Sequence, residues 1–178
     1  MKQTGYIFDI GSLIRENQGT KYKFKFDEEN TIKFEDNIKP KSRITADVTL
    51  MKVQEGIHVL IENMQLSLEV ECSKCTTGFV QKIAMESTER VYFSEGEKED
   101  SDMFDLFYVN KKALTVDIED FLRQEIILHF QTIPVCSKSC KGLCPTCGAN
   151  LNEENCSCDK HPTEEKPLAA LKNLYKPK

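Results

Sequence analysis

No stretch of this chain is apolar for long enough to cross a bilayer. The longest apolar patches, such as Ile126–Leu128, fall far short of the roughly 20 residues that a spanning helix needs. Residues Met1 to Ile10 also lack the basic stretch and long apolar run of an export signal, which predicts a protein that stays in the cytoplasm and has no membrane partner. The phosphate-cradling glycine loop, the His-Glu-x-x-His pair of zinc peptidases and the Gly-x-Ser-x-Gly turn of hydrolases are all missing. The common routes to phosphoryl transfer, metal-assisted hydrolysis and acyl transfer therefore have no foothold, and no enzyme is predicted. There is no internal repeat beyond the cysteine spacing and no low-complexity tract. A net charge of −5 denies the molecule as a whole the basic field that draws proteins onto phosphate backbones. Nucleic-acid contact would have to be local. From Cys136 onward lysines outnumber acids, so the tail is the less acidic part.

With 178 residues, 39% of them hydrophobic and 30% charged, the chain has the mixture and length for one ordinary core plus an appendage. Tyr22, Phe24 and Phe26 alternate with Lys21, Lys23 and Lys25, a two-residue period that predicts a half-buried strand. The alternation returns at Ile44, Ala46, Val48 and Leu50, and Glu55-Gly56 offers a tight connection to the next strand, so a hairpin is expected. That next strand runs Ile57, Val59, Ile61 and then switches parity to Met64, Leu66, Leu68 and Val70. Since one extra residue turns every later side chain to the other face, the switch predicts a β-bulge or bend near Glu62-Asn63. Phe79, Ile83, Met85, Val91 and Phe93 continue an odd-numbered pattern for another long strand or pair of strands.

Phe8–Ile14 fits a short amphipathic helix loosely, and Ser94–Asp105, crowded with acids around a single lysine, reads as a solvated loop. Between Val116 and Phe130 the apolar period becomes helical, with Ile118, Phe121, Leu122, Glu125, Ile126 and Phe130 on one face, Asp117 or Thr115 as N-cap and Pro134 closing the segment. A further amphipathic segment, Leu168–Leu174, follows Pro162 and Pro167. The predicted fold class is α+β. An antiparallel, β-rich body over residues 1–133, a twisted sheet or partial barrel, carries one main helix near 117–130, and a cysteine-rich zinc-knuckle unit with a short C-terminal helix occupies 134–178.

The eight cysteines fall as Cys72-x2-Cys75, then Cys136-x3-Cys140-x3-Cys144-x2-Cys147-x8-Cys156-x-Cys158. Two thiolates two or three residues apart can bend back onto one ion, four complete the tetrahedron that structural zinc prefers, and eight make two such shells. In Cys144-Pro145-Thr146-Cys147-Gly148, Gly148 tolerates the positive φ that lets the turn's amides fold toward sulfur. The simplest partition joins Cys144 and Cys147 to Cys156 and Cys158. The second site then joins Cys72 and Cys75 to Cys136 and Cys140 and clamps the tail to the body. Spacing alone does not fix this pairing. Disulfides, an iron–sulfur cluster and an oxidant-sensing thiol switch are the chemical rivals. Of the histidines, His58 and His129 fall in strand and helix patterns, and His161 is a spare ligand that eight thiolates make unnecessary.

The run Cys136-x3-Cys140-Lys141-Gly142-Leu143-Cys144-Pro145-x-Cys147-Gly148-x-Asn150-Leu151-Asn152, followed by Cys156-x-Cys158, resembles the C-terminal signature of the YceD family. The opening Asp9-Ile10-x-x-Leu13-Ile14, the Cys72-x2-Cys75 pair and the helix before Pro134 occur in the family's order, so the resemblance covers nearly the whole chain. It implies a non-enzymatic factor needed for normal levels of large-subunit ribosomal RNA, in bacteria and in plant plastids. Many members end with Asp-Pro-Arg before an apolar helix, whereas this chain has Lys166-Pro167-Leu168. Some relatives lack the cysteines, which implies that zinc supports architecture rather than chemistry. Ribosomal precursors or assembly proteins are the partners implied. Ribosomal RNA itself would be met through local basic patches, Lys21, Lys23 and Lys25 or the tail lysines, unless these merely solvate an exposed face. A thiol or zinc redox-responsive regulator and a transcription-related zinc module are the alternative functions.

Overall fold

The computed structural model of this protein describes residues 2–34, 38–94 and 107–158. The acidic run beyond Ser94, the segment Leu168–Leu174 and His161 lie outside the described residues. In chain order the elements are β1 (Gln3–Thr4), β2 (Ile7–Asp9), a 3₁₀ turn (Leu13–Arg15), β3 (Lys21–Glu28), β4 (Ile38–Pro40), β5 (Ile44–Lys52), β6 (Gly56–Glu71), β7 (Gly78–Phe93), β8 (Phe107–Tyr108), β9 (Thr115–Asp117) and α1 (Glu119–His129). The chain divides into two units, Met1–Ser73 with Thr77–Cys136 and Lys74–Thr76 with Ser137–Lys178. All the named strands and α1 belong to the first.

Six strands form one sheet in the order β3-β5-β6-β7-β8, with β4 added against β6, while β1, β2 and β9 form a second, three-stranded sheet. Pairing is antiparallel except at the edge, where β8 runs parallel to β7. That strand departs from the all-antiparallel expectation, and two residues are too short to leave a period in the sequence. β3 alternates as predicted, with Phe26 buried, Tyr22 and Phe24 packed on the core, and Lys21, Lys23 and Lys25 exposed. β5 and β6 make the expected hairpin. The turn between them demands glycine, because a Cβ on Gly56 would sit 2.0 Å from the Tyr92 carbonyl oxygen.

The bulge lies where the parity switch put it. Between β5 and β6 the register shifts from Asp47↔Glu62 to Thr45↔Gln65, and Asn63 takes the left-handed conformation at φ 54. β6 buries Ile57, Val59 and Ile61 before it, and Met64, Leu66, Leu68 and Val70 after it. Its partner β7 turns over at the same level: Ile83 and Met85 are buried on one side of the switch and Tyr92 on the other. The odd-numbered pattern read for β7 therefore stops at Met85. Val91 and Phe93 are only half-buried because that strand shares the rotation of β6.

Phe8–Ile14 is not a helix. Phe8 and Ile10 are both fully buried at alternate positions, a strand period, and only Leu13–Arg15 curls into a 3₁₀ turn. The main helix is shorter at each end than its apolar period suggested, Glu119–His129. Ile118 occupies the cap position, and the Asp117 Oδ1 accepts the Glu119 amide at 2.9 Å, so the aspartate serves the helix start from one residue further out. Phe121, Leu122, Glu125 and Ile126 form its buried face, leaving Ile127 and Leu128 exposed.

Glu125 sits among apolar residues because Arg90 of β7 meets it at 3.2 Å, while that guanidinium also lies 5.4 Å from the centre of the Phe121 ring. A carboxylate buried without such a partner would cost several kcal/mol, so the pair fixes where α1 packs on β7. Tyr92 makes a second polar tie to the small sheet, its hydroxyl donating to the Asp117 carbonyl at 2.9 Å. Burial, reinforced by Asp117 and Asp120, pushes this phenol far above its ordinary range, so it stays a neutral donor. Among the described residues no helix is long and apolar enough to cross a membrane.

Gly56→Ala is expected to lower unfolding stability by about 1–3 kcal/mol through the forced shift against the Tyr92 carbonyl. Tyr92→Phe should cost about 1 kcal/mol for the lost hydrogen bond. Urea unfolding with an unchanged denaturant slope measures both.

Candidate metal centres

β6 and β7 are joined by a short turn, and the first cysteine pair rides on it. Cys72 directly follows β6, and its amide donates to the Thr77 carbonyl at 3.0 Å, closing the turn just before β7 begins. The Thr76 hydroxyl donates to the Cys75 carbonyl at 2.7 Å, and Thr76 itself takes φ 57. The Ser73 amide donates to the Pro134 carbonyl at 2.8 Å, so the turn and the stretch after α1 are hydrogen-bonded to each other just ahead of Cys136.

The last described segment is built from short local loops. The Cys140 amide donates to the Ser137 carbonyl at 3.1 Å, and the Leu143 amide to the Lys74 carbonyl at 3.0 Å. Gly142 passes so close to that same carbonyl, at φ 77, that a Cβ would lie 3.1 Å from it. Leu143 then bridges to Asn150, the Cys144 amide donates to Ala149 at 2.8 Å, and the Gly148 amide returns to the Cys144 carbonyl at 2.9 Å. Gly148 makes the reversal at φ 75, in the left-handed region that glycine enters without a steric penalty. Asn152 ties the far side, accepting the Lys141 amide at 2.8 Å and placing its own Nδ2 3.5 Å from the Cys140 sulfur.

The eight sulfurs fall into two groups of four. In each group, Cys72, Cys75, Cys136 and Cys140 or Cys144, Cys147, Cys156 and Cys158, the Sγ atoms lie within 4.8 Å of one another. A tetrahedral ion with metal–sulfur bonds of about 2.3 Å places its ligands about 3.8 Å apart, so each group is the size of a four-thiolate shell and could hold a metal ion. Three members of the first group are buried and Cys136 is half-buried. In the second, only Cys144 is buried, and Cys147 is exposed.

The electrostatics of the second group show what such packing demands. The backbone amides of Cys147 and Thr146 point at the Cys144 sulfur and, with the Cys156 thiol, pull its pKa down to about 6. The neighbours move the other way. Cys158 is pushed up to about 12, chiefly by sharing a hydrogen bond with Cys147, and Cys156 is raised by its bond to Cys144. One thiolate is favoured and further ones are opposed by like charge, a repulsion that a divalent cation removes.

The two described histidines, His58 and His129, belong to neither group. His58 pairs with Glu89 at 3.1 Å, and the His129 Nδ1 lies 2.9 Å from the Glu125 carbonyl within α1. The strand lysines are partly committed as well: Lys25 meets Asp47 at 2.5 Å, and that contact, with Asn63 and then Lys23, holds the Asp47 carboxyl below its usual range. The Arg90–Glu125 pair was invisible as a pair in sequence, although Glu125 already fell on the apolar face of the predicted helix.

A family model described as large ribosomal RNA subunit accumulation protein YceD matches residues 62–175. Two curated plant proteins, each named large ribosomal RNA subunit accumulation protein YCED homolog 1, chloroplastic, are also similar. The one from Zea mays is 37% identical over 78 residues, 44% of this chain and 26% of that protein. The one from Arabidopsis thaliana is 32% identical over 73 residues, 41% of this chain and 22% of that protein. The similar region is thus about a quarter of the length of these relatives. No solved structure gives a significant match. Because the family match runs from the bulged strand β6 through all eight cysteines and covers well over half the sequence, this chain belongs to the YceD family.

Proposed function

We propose that this protein is a zinc-binding, non-enzymatic factor that supports accumulation of large-subunit ribosomal RNA, acting on ribosomal precursors or their assembly proteins. The observation that carries it is the coincidence of the family match with two four-sulfur groups of tetrahedral size. Zinc fits these donors better than harder cations, since thiolate is a soft ligand and an all-sulfur tetrahedron is its common structural shell. Cys72, Cys75, Cys136 and Cys140 would hold one ion, and Cys144, Cys147, Cys156 and Cys158 the other. Four-thiolate shells leave no open position for substrate, so the metal supports architecture and not catalysis. Eight closely packed thiols also suit a reducing compartment, the cytoplasm or, for the plant relatives named chloroplastic, a plastid.

The ribosomal role rests on the family, and its partners are read as protein more than RNA. Lys25 is neutralised by Asp47, so the lysine stripe of β3 offers less net charge than its sequence suggests. In cells depleted of the protein, immature large subunits should accumulate relative to mature ones in sucrose gradients; an unchanged profile would remove the ribosomal reading. Lys21, Lys23 and Lys25 replaced together by glutamate should leave recovery on ribosomal precursors unchanged, whereas a large loss would assign RNA contact to that strand.

Metal content is the direct test of the zinc reading. Elemental mass spectrometry on protein purified without chelator should find two zinc ions per chain, and a value near zero would sink it. Occupancy should also fall with pH. Metal binds thiolate, so each thiol that joins the ion must give up its proton, and titration from pH 8 to 5 should release zinc progressively.

A further inference from the structure

The two sulfur groups have the same composition, yet they sit in different surroundings. In the first, Cys72, Cys75 and Cys140 are buried, and Cys72 is continuous with a sixteen-residue strand. In the second, Cys144 is buried, but Cys147 is exposed and Cys156 and Cys158 are half-buried, so this group is the more open of the two to water, chelators and other thiols.

The surroundings also differ in what keeps them ordered. None of the residues that make up the apolar core comes from the described stretch 137–158. The large apolar side chains there, Leu143 and Leu151, are both only half-buried. What shapes the loop around the second group is a handful of local hydrogen bonds, Cys144 to Ala149, Gly148 to Cys144 and Leu151 to Gly142. Such bonds are worth little net free energy against water. Removing a metal from that loop removes the bonds through the ion and leaves almost no apolar burial to hold the loop.

We propose that the two sites exchange metal at very different rates, so that the protein has a stable one-ion form in which the Cys72 group keeps its ion while the Cys144 group is empty and its loop open. The inference rests on the zinc reading above and deepens it: the outer site follows the supply of metal, and the inner one does not. The ligand class is a soft divalent cation. Ion release from the outer group lets the hairpin from Cys144 to Cys158 unfold without disturbing the sheets, because the apolar core stands outside it.

The experiment uses the full chain loaded with zinc. Excess EDTA is added, retained zinc is counted by elemental mass spectrometry over time, and iodoacetamide alkylation is mapped by peptide in parallel. Half of the metal should leave at least about tenfold faster than the rest, the size of effect that enclosure and outer hydrogen bonds have on metal sites. During the fast phase Cys144, Cys147, Cys156 and Cys158 should alkylate, the other four should stay protected, and the strand signal in circular dichroism should hold. Cys147→Ser should retain one ion with the slow rate. Two ions leaving in one phase, or alkylation beginning at Cys72 and Cys75, would overturn this inference and leave the zinc reading intact. A chain that binds no zinc at all would overturn both.

Discussion

The pairing of β6 with β7 is the constraint on which most of the body depends. The two strands are sixteen residues each and keep one register from Gly56↔Phe93 to Glu71↔Gly78. An extra residue in one strand alone would turn its later side chains away from the core. Here both strands rotate at the same level: Asn63 absorbs the change in β6, and in β7 the buried face passes from Met85 on one side of Glu86-Ser87 to Tyr92 beyond it. The far half of the hairpin thereby offers Tyr92 and Arg90 to the small sheet and α1. The near half buries Leu66, Leu68 and Val70 before the turn that bears Cys72. Register thus sets where β6 ends and Cys72 begins the turn.

Beyond Cys136 the source of order changes. A β body can offset the entropy of ordering its chain with buried Ile, Val, Leu and Phe, and this one does so in both sheets. The stretch 137–158 has no such means. Its backbone instead spends left-handed glycines, Gly142 and Gly148, and side-chain ties from Asn152 on bringing sulfurs together, an arrangement that like charge opposes. Apolar burial orders the sheets, and on the zinc reading charge compensation at sulfur would order the described stretch 137–158.

What could be read from sequence follows the length over which a physical signal repeats. β3, β5 and β6 repeat their alternation over many residues, and the parity slip at Asn63 was legible because each half of β6 was long enough to define its own phase. β7 failed in its second half for a related reason: Val91 and Phe93 are apolar and odd-numbered, while the residues that face inward, Arg90 and Tyr92, look polar. Only their partners Glu125 and Asp117 make that burial tolerable, and partners are a tertiary fact. The strand at Phe8 was misread because Phe8, Ile10 and Leu13 satisfy a loose helical spacing as well as a short strand followed by a turn. At the cysteines, spacing conveys which pairs can share a turn and which glycines must reverse the chain. It conveys nothing about which turn meets which across the strand and helix between Cys75 and Cys136.

The surface charges bear on the proposed ribosomal role of a chain of net charge −5. Among the described residues, several cations are matched by acids. Lys25 meets Asp47, Arg43 meets Asp27 through both its side chain and its carbonyl, Lys41 meets Glu69, and Arg123 meets Asp120. Each exposed pair adds little stability, but each also cancels a charge that a phosphate would otherwise feel. Affinity for RNA built on released counterions needs several uncommitted cations on one face, and these pairings reduce the number the described sheet offers. On the proposed role, a protein contact would gain from exposed apolar surface, and Ile127 and Leu128 on α1 offer it.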